Sequence, residues 1–256
     1  MTKVMVATNI CERKIYSLQY IPKLNELTYS DKVFYLNAQD ETEDGLNRLW
    51  DMGENWLVDS WRWDSTWHKK PEFNQDQARL EPIVFARNMA LAAARRINAD
   101  YILFVDSDVV VPNNSIEKLL ELKKPLCGGV VPGRGAHSKE EYIFGVRAQM
   151  NIGTKDNPIP VTICNHGTMG FCLIHKSIFN VISFRTGYSI NYWKRPKPYT
   201  DWAAEDPLFC EDSEAIVRHG GFHVRMDLRA EHYDDPDDPL TAATAAPEYD
   251  VNGVTQ

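Results

Sequence analysis

The sequence predicts an α/β single domain, with a mostly parallel central sheet flanked by helices. Three observations predict it. Short apolar runs at 3–8, 32–36 and 101–105 are bounded by polar residues and separated by helical patterns, the rhythm of β-α-β units. The run Tyr101-Ile102-Leu103-Phe104-Val105 carries no alternation, as expected of a parallel strand buried on both faces. It ends directly in Asp106-Ser107-Asp108, so two carboxylates stand at a strand's C-terminal end, where open α/β sheets bind ligands.

Each element follows in order. The strand 3–8 ends in Thr8-Asn9. A helix is expected over 12–27, with Ile15, Leu18, Ile21 and Leu24 on one face, and a second strand over Lys32–Leu36. Residues 41–80 break the rhythm and hold Trp50, Trp56, Trp61, Trp63 and Trp67, five of the seven tryptophans. A short helix over Asp44–Met52 and then irregular or extended chain is expected there. The indoles either pack on the core or offer a stacking face to a sugar ring. Pro82 opens the next helix, with Phe85, Met89, Ala93 and Ile97 as its buried stripe. Asn114 and Glu117 form a capping-box-like start to a helix over 115–124. Strands follow at Leu126–Val131, Val161–Cys164 and Phe171–Ile174, with a hairpin or excursion across 132–160. A short helix is expected from His175 to Phe179. Residues 184–210 read as loop, Asp212–His219 as a short helix closed by Gly220-Gly221, and Phe222–Leu228 as a strand. Past Asp234 little remains to bury, so 235–256 reads as a flexible acidic tail. One domain over 1–234 is expected, its nucleotide-binding half at 1–110 and its acceptor and catalytic half at 111–234.

Composition bounds the function. The chain has 256 residues, enough for a sizeable core, and a net charge of −8, which disfavours general attraction to nucleic acid or anionic membrane. No run is long and apolar enough to span a bilayer, so a cytoplasmic protein, or one peripheral to a membrane, is expected. The five cysteines are scattered, with no C-x-x-C, and read as reduced thiols.

Two stretches carry chemistry. The first is Ala86-Arg87-Asn88-Met89-Ala90-Leu91 leading through Tyr101–Val105 into Asp106-Ser107-Asp108. It resembles the helix and strand of the nucleotide-diphospho-sugar glycosyltransferases of GT-A type, a Rossmann-like fold. The second, Cys210-Glu211-Asp212-Ser213-Glu214 through Arg218-His219-Gly220-Gly221-Phe222 to His232, resembles that family's acidic helix and late histidine. Ala215 stands where an aromatic is usual, and Glu205-Asp206 is a competing acidic pair. The resemblance implies a sugar transferase that takes a UDP- or GDP-sugar donor, a glycan or other hydroxyl acceptor, and Mn²⁺ or Mg²⁺. It implies Asp212 as catalytic base with Glu211 beside it, and Asp106, Asp108 and His232 as metal ligands. It further implies that Thr8, Asn9 and Asp40 line the base and ribose pocket. Arg87, Asn88, Asp106 and Ser107 would serve the donor, and Gly167, Thr168, Met169 and Gly170 would form a loop beneath the donor sugar. The residues themselves support these roles, since a carboxylate can take a hydroxyl proton and a divalent cation can stabilise a diphosphate leaving group. One oxygen and one imidazole ligand favour Mn²⁺ over Ca²⁺. His166 and the cluster Lys194-Arg195-Pro196-Lys197 are weaker candidates for sugar and diphosphate contact.

Rival readings use the same residues. Asp106-Ser107-Asp108-Val109-Val110 fits the first motif of haloacid-dehalogenase-type phosphatases, with Asp106 as nucleophile. That family places the motif on its first strand, whereas a β-α-β unit precedes it here. A sugar nucleotidyltransferase would carry a glycine-rich loop after the first strand, and Thr8-Asn9-Ile10-Cys11-Glu12 has none. A non-catalytic carbohydrate-binding protein could use the tryptophans but would not need the acidic residues.

Overall fold

The apolar run Val4–Ile10 forms β1, and neighbouring runs form β2 (Lys32–Gln39) and β3 (Trp56–Trp61). The chain is described from a computed structural model, which covers residues 1–10, 21–39, 55–61, 75–132, 143–188, 202–203 and 205–232. The expected helix over Asp44–Met52, Asp40, Trp50, Trp63, Trp67, Lys194-Arg195-Pro196-Lys197 and the tail lie outside the described residues. So does the first part of the helix expected over 12–27, whose end is a 3-10 helix, Ile21–Glu26.

Helix α1 (Gln75–Arg96) leads into β4 (Tyr101–Val105) and the two-residue β5 (Val109–Val110). Then come α2 (Ser115–Glu121), β6 (Leu126–Val130), β7 (Ile143–Thr154), β8 (Asn157–Gly167), β9 (Phe171–His175) and α3 (Lys176–Phe179). A small pair, β10 (Gly187–Tyr188) with β11 (Trp202–Ala203), precedes α4 (Glu205–Val217), β12 (Phe222–Arg229) and β13 (Glu231–His232).

Nine strands form one sheet in the order β3-β2-β1-β4-β9-β6-β12-β8-β7. The first four are mutually parallel, and the pairings across the rest leave only β9 and β8 running against the other seven. The expected mostly parallel sheet flanked by helices is therefore present. Alternate residues of each central strand feed opposite faces. Met5, Ala7, Ile102 and Phe104 pack with Ala90, Leu91, Ile178 and Phe209 of α1, α3 and α4. Val4, Val6, Leu103 and Val105 pack with Ile116 and Leu119 of α2. The carboxyl ends of β1, β2, β3 and β4 meet along one edge.

Five expectations change. Pro82 lies inside α1 and not at its start. That helix buries Ala86, Arg87, Ala90, Leu91, Ala93 and Ala94, so of the expected stripe Ala93 is buried and Ile97 packs on the core, while Phe85 is 45% exposed. The small alanines let the helix lie close on the sheet, and that packing decides the face. The Asn114 side chain makes no cap hydrogen bond, and Glu117 accepts instead from the Thr28 hydroxyl at 2.8 Å. Of the two readings of 132–160 the hairpin holds, but it runs over 143–167 and absorbs the strand expected at Val161–Cys164. Helix α4 starts at Glu205, so Glu211 and Asp212 stand mid-helix. The four described cysteines, Cys127, Cys164, Cys172 and Cys210, are buried and unpaired by disulfides. Among the described residues, no helix is long and apolar enough to cross a membrane.

Candidate active site

Beyond β4 the backbone turns at once. The Asp106 N–H donates to the Gly170 carbonyl at 3.0 Å, and the Asp106 carbonyl accepts from Val109 at 3.0 Å. This tight turn, with Ser107 buried in it, separates the two carboxylates: the Asp106 side chain is 41% exposed and that of Asp108 is buried. Strand β5 then pairs with β13, Val109 opposite His232. That ladder brings the His232 Nε2 to 3.5 Å from the Asp108 carboxylate. The other ring nitrogen, Nδ1, lies 2.9 Å from the Pro132 carbonyl and donates to it. Metal-bound histidines are oriented in this way, one nitrogen held by a carbonyl and the other presenting its lone pair. The Asp108–His232 pair therefore fits a divalent cation, one oxygen and one imidazole ligand. No group of three or more possible ligands gathers among the described residues. Waters or phosphate oxygens would have to complete the shell. Asp106, expected as a third ligand, is directed elsewhere.

It meets Arg87. The guanidinium, 3% exposed on α1, makes a short hydrogen bond to Asp206 and lies 3.3 Å from Asp106 and 3.7 Å from Glu205. The Phe104 and Phe184 rings flank it at 5.9 and 5.5 Å. Burial opposes the charge on Arg87, but the three carboxylates outweigh it and keep the guanidinium charged. One cation cannot balance three anions. Burial, reinforced by the charge of Asp206, pushes the Glu205 carboxyl up to about 7 against the pull of Arg87.

The turn at 168–170 closes this cluster. The Met169 N–H donates to Asp206 at 2.9 Å, and the Gly170 N–H donates to the Thr168 hydroxyl at 3.0 Å. A Cβ on Gly170 would stand 2.7 Å from a carboxylate oxygen of Asp106, so any side chain there would push that carboxylate aside.

Other expected site residues have structural partners. Asn88 holds the Phe184 backbone at both ends, donating to its carbonyl at 2.9 Å and accepting from its N–H at 2.8 Å. Asp212 is gripped by both arms of Arg185, at 2.6 and 2.8 Å. Glu211 is buried 3.4 Å from His166. Since six residues turn a helix by about 600°, Asp206 and Asp212 cannot share a face. The pair brought to the D-x-D turn is thus Glu205-Asp206. Two acidic residues followed by Pro207 form a helix-start signal that marks this position in the sequence.

At the carboxyl ends of β1 and β2, Asn9 lies in register with Asn37. The Thr8 hydroxyl and the Asn9 and Asn37 side-chain oxygens are buried and find no hydrogen-bond partner among the described residues. The Asn37 amide nitrogen donates to the Ala86 carbonyl at 3.0 Å, which fixes its oxygen as the open acceptor. Buried polar groups rarely stay unpaired unless a ligand or water completes them. Asn37 escaped the sequence reading, which ended the strand one residue earlier.

Comparison with known proteins adds the family. Residues 58–214 match the model of the glycosyltransferase family 25 N-terminal domain. A glycosyltransferase 25 family member from Anopheles gambiae is 29% identical, over 53% of this chain and 25% of that protein, so the chain spans a quarter of this relative's length. Among solved structures, S. aureus TarS 1-349 in complex with UDP-GlcNAc is similar with a TM-score of 0.56 and 14% identity, covering 96% of this chain and 63% of that one. The mannosyltransferase PcManGT from Pyrobaculum calidifontis, in complex with GDP-Man and Mn²⁺, gives 0.53 and 10%, covering 91% and 57%. These two likenesses establish the shared GT-A fold. The family match covers more than half of the sequence and includes α1, the D-x-D turn and the start of α4: the chain belongs to glycosyltransferase family 25, through that family's N-terminal domain.

Proposed function

We propose that this chain is a metal-dependent glycosyltransferase that moves a sugar from a UDP- or GDP-sugar to an acceptor hydroxyl, with inversion at the anomeric carbon. One observation carries the proposal. The unpartnered oxygens of Thr8, Asn9 and Asn37 end β1 and β2, and the Asp108–His232 pair and the Asp106–Arg87–Asp206 cluster follow β4 along the same sheet edge. The family match and the nucleotide-sugar complexes of the two structural neighbours support it. In this reading the parallel half, residues 1–110, holds the donor, and the remainder to 234 serves the acceptor and the chemistry.

The first turn of α4 supplies the base better than Asp212 does. Asp206 shares one guanidinium with Asp106 and is 20% exposed, whereas Arg185 occupies both oxygens of Asp212. Each Asp206 oxygen retains a lone pair beyond its bond to Arg87 or Met169. Asp206 takes the acceptor hydroxyl proton, and the hydroxyl oxygen bonds the anomeric carbon. The carbon–phosphate-oxygen bond breaks, and its electron pair leaves on the nucleoside diphosphate. Asp108 and His232 would hold a divalent cation, which would supply Lewis-acid stabilisation of that leaving group.

Titration calorimetry of UDP and GDP, with Mn²⁺ and with EDTA, tests the reading. One nucleotide should bind at least about tenfold tighter with Mn²⁺, a difference of about 1.4 kcal/mol. Asp108→Ala and His232→Ala should each remove the difference. Equal affinity in both buffers for the unaltered protein would overturn the metal-dependent donor site.

A further inference from the structure

Three elements distant in sequence meet at one guanidinium. Arg87 comes from α1, Asp106 lies 19 residues later at the end of β4, and Asp206 lies 119 residues later in the first turn of α4. We propose that Arg87 is a positioning residue that locks the D-x-D turn, the 168–170 turn and the acidic start of α4 into one frame. The inference rests on the proposed transfer reaction for its functional meaning, but its geometry stands on these contacts alone.

The guanidinium suits this task because it is planar and presents its N–H groups in a fixed fork. One arm engages Asp206, and the other faces Asp106 and Glu205. The plane itself is held. Phe104 lies on one strand beneath it, and Phe184 is clipped by both amide bonds of Asn88, the next residue along α1. Phe184 in turn stacks on Phe209 of α4, with centroids 4.3 Å apart and planes within 19°. So α1 grips α4 twice, by the Arg87 fork and by Asn88 acting through the Phe184 ring. The consequence reaches the 168–170 turn, because the other Asp206 oxygen holds the Met169 N–H. A residue so buried is poorly placed to touch the donor itself, the role that the resemblance implied for Arg87. Its partners are the protein's own carboxylates.

A lysine keeps the charge but not the fork, so a compact ammonium can satisfy one carboxylate at a time. Arg87→Lys should therefore stay folded while Asp106 and Asp206 lose their common reference. Two measurements test this. In hydrogen exchange of the whole protein, the Met169 amide should exchange at least about tenfold faster in Arg87→Lys, whereas the sheet amides of Ile102 and Leu103 should keep their protection. In sugar transfer with Mn²⁺, kcat should fall by at least about 30-fold with donor KM within about threefold, the signature of misplaced groups. Asn88→Ala, which leaves every charge in place, should show both effects in weaker form. A uniform rise in exchange across the sheet, or a Met169 amide as protected as in the unaltered protein, would overturn the proposal. If the unaltered protein transfers no sugar, the proposed function fails, and the exchange measurement still decides the role of Arg87.

Discussion

Gly170→Ala separates the site from the fold. The φ of Gly170 lies outside the left-handed region, so the backbone accepts alanine and space is the whole issue. The added Cβ would stand 2.7 Å from Asp106 Oδ2, 3.1 Å from its Cγ and 3.2 Å from Thr168 Oγ1. Ordinary contact begins near 3.4 Å, so the carboxylate must retreat by about 0.7 Å, the difference of the two distances. The Asp106 side chain is 41% exposed and can swing toward solvent. Overpacking relieved by a mobile side chain costs about 1 kcal/mol, the low end of its usual range. In a chain of this size that lowers Tm by about 2–4 °C. The swing loosens the 3.3 Å contact between Asp106 and Arg87, where a displacement near 1 Å costs about 10²-fold in rate. The expected result is a near-native melt with transfer down about 10–100-fold, read by a sugar-nucleotide transfer assay and a thermal scan on the same sample. Native-like turnover would refute the reasoning. Gly129→Ala is the contrasting variant: its Cβ would overlap the Phe171 ring and stand 2.5 Å from the Leu228 carbonyl at the sheet centre, so it should fail to fold.

Asp206→Asn should keep Mn²⁺-dependent nucleotide binding and lose transfer by about 10²–10⁴-fold, the loss of a general base. Asp212→Asn should keep most transfer and cost at most about 1 kcal/mol in urea unfolding, because the Arg185 arm of that pair is 37% exposed. Stability should fall on the acid side. Burial holds the His219 and His223 pKa values below 6.5, so the unfolded chain takes up more protons as pH drops through 6.5, and stability present above that pH is lost below it. Glu205 opposes the trend: its pKa, raised from 4.5 to about 7, leaves the folded chain holding an extra proton between those values. Glu205→Gln should then steepen the acid-side loss in urea titrations from pH 8 to pH 5, and an unchanged slope would count against a protonated Glu205. Trp56 stacks on Phe34 at 4.6 Å, so Trp56→Ala should destabilise by about 2–3 kcal/mol, below the loss for a fully buried indole, and leave acceptor KM unchanged.

The parts of the fold legible in the sequence were those with strong local signals. Tyr101–Val105 is apolar at every position because both faces are covered, and the carboxylates that end it are visible without any partner. The late histidine was legible only through the family resemblance, and the β5–β13 ladder supplies its physical link to Asp108. What stayed hidden depended on tertiary partners. The choice between two acidic pairs turned on Arg87, whose destination cannot be read from its own helix. The resemblance implied Asn88 at the donor, and what the sequence could not show is that its amide holds the Phe184 backbone. Phe85 was misplaced while Ala93 was not, because spacing alone offers several faces and the sheet selected the alanine-rich one. Asn37 carries no signal beyond an asparagine at the end of an apolar run, and only its fixed amide reveals the open oxygen.

On the proposed function, the two-residue ladder between β5 and β13 would tie metal binding to the order in which the chain is made. Asp108 emerges early in synthesis, and His232 follows 124 residues later. Until β13 docks, His232 is not beside Asp108, so on the proposed function a nascent chain would complete the sheet through β9 before it could hold a cation there. Two rungs hold a strand weakly, and a cation bridging Asp108 and His232 would act as a third rung across the same gap. Closure of this corner and loading with metal are then one equilibrium: chelation should fray β13 first, and rising Mn²⁺ should draw it back before any change reaches the parallel half.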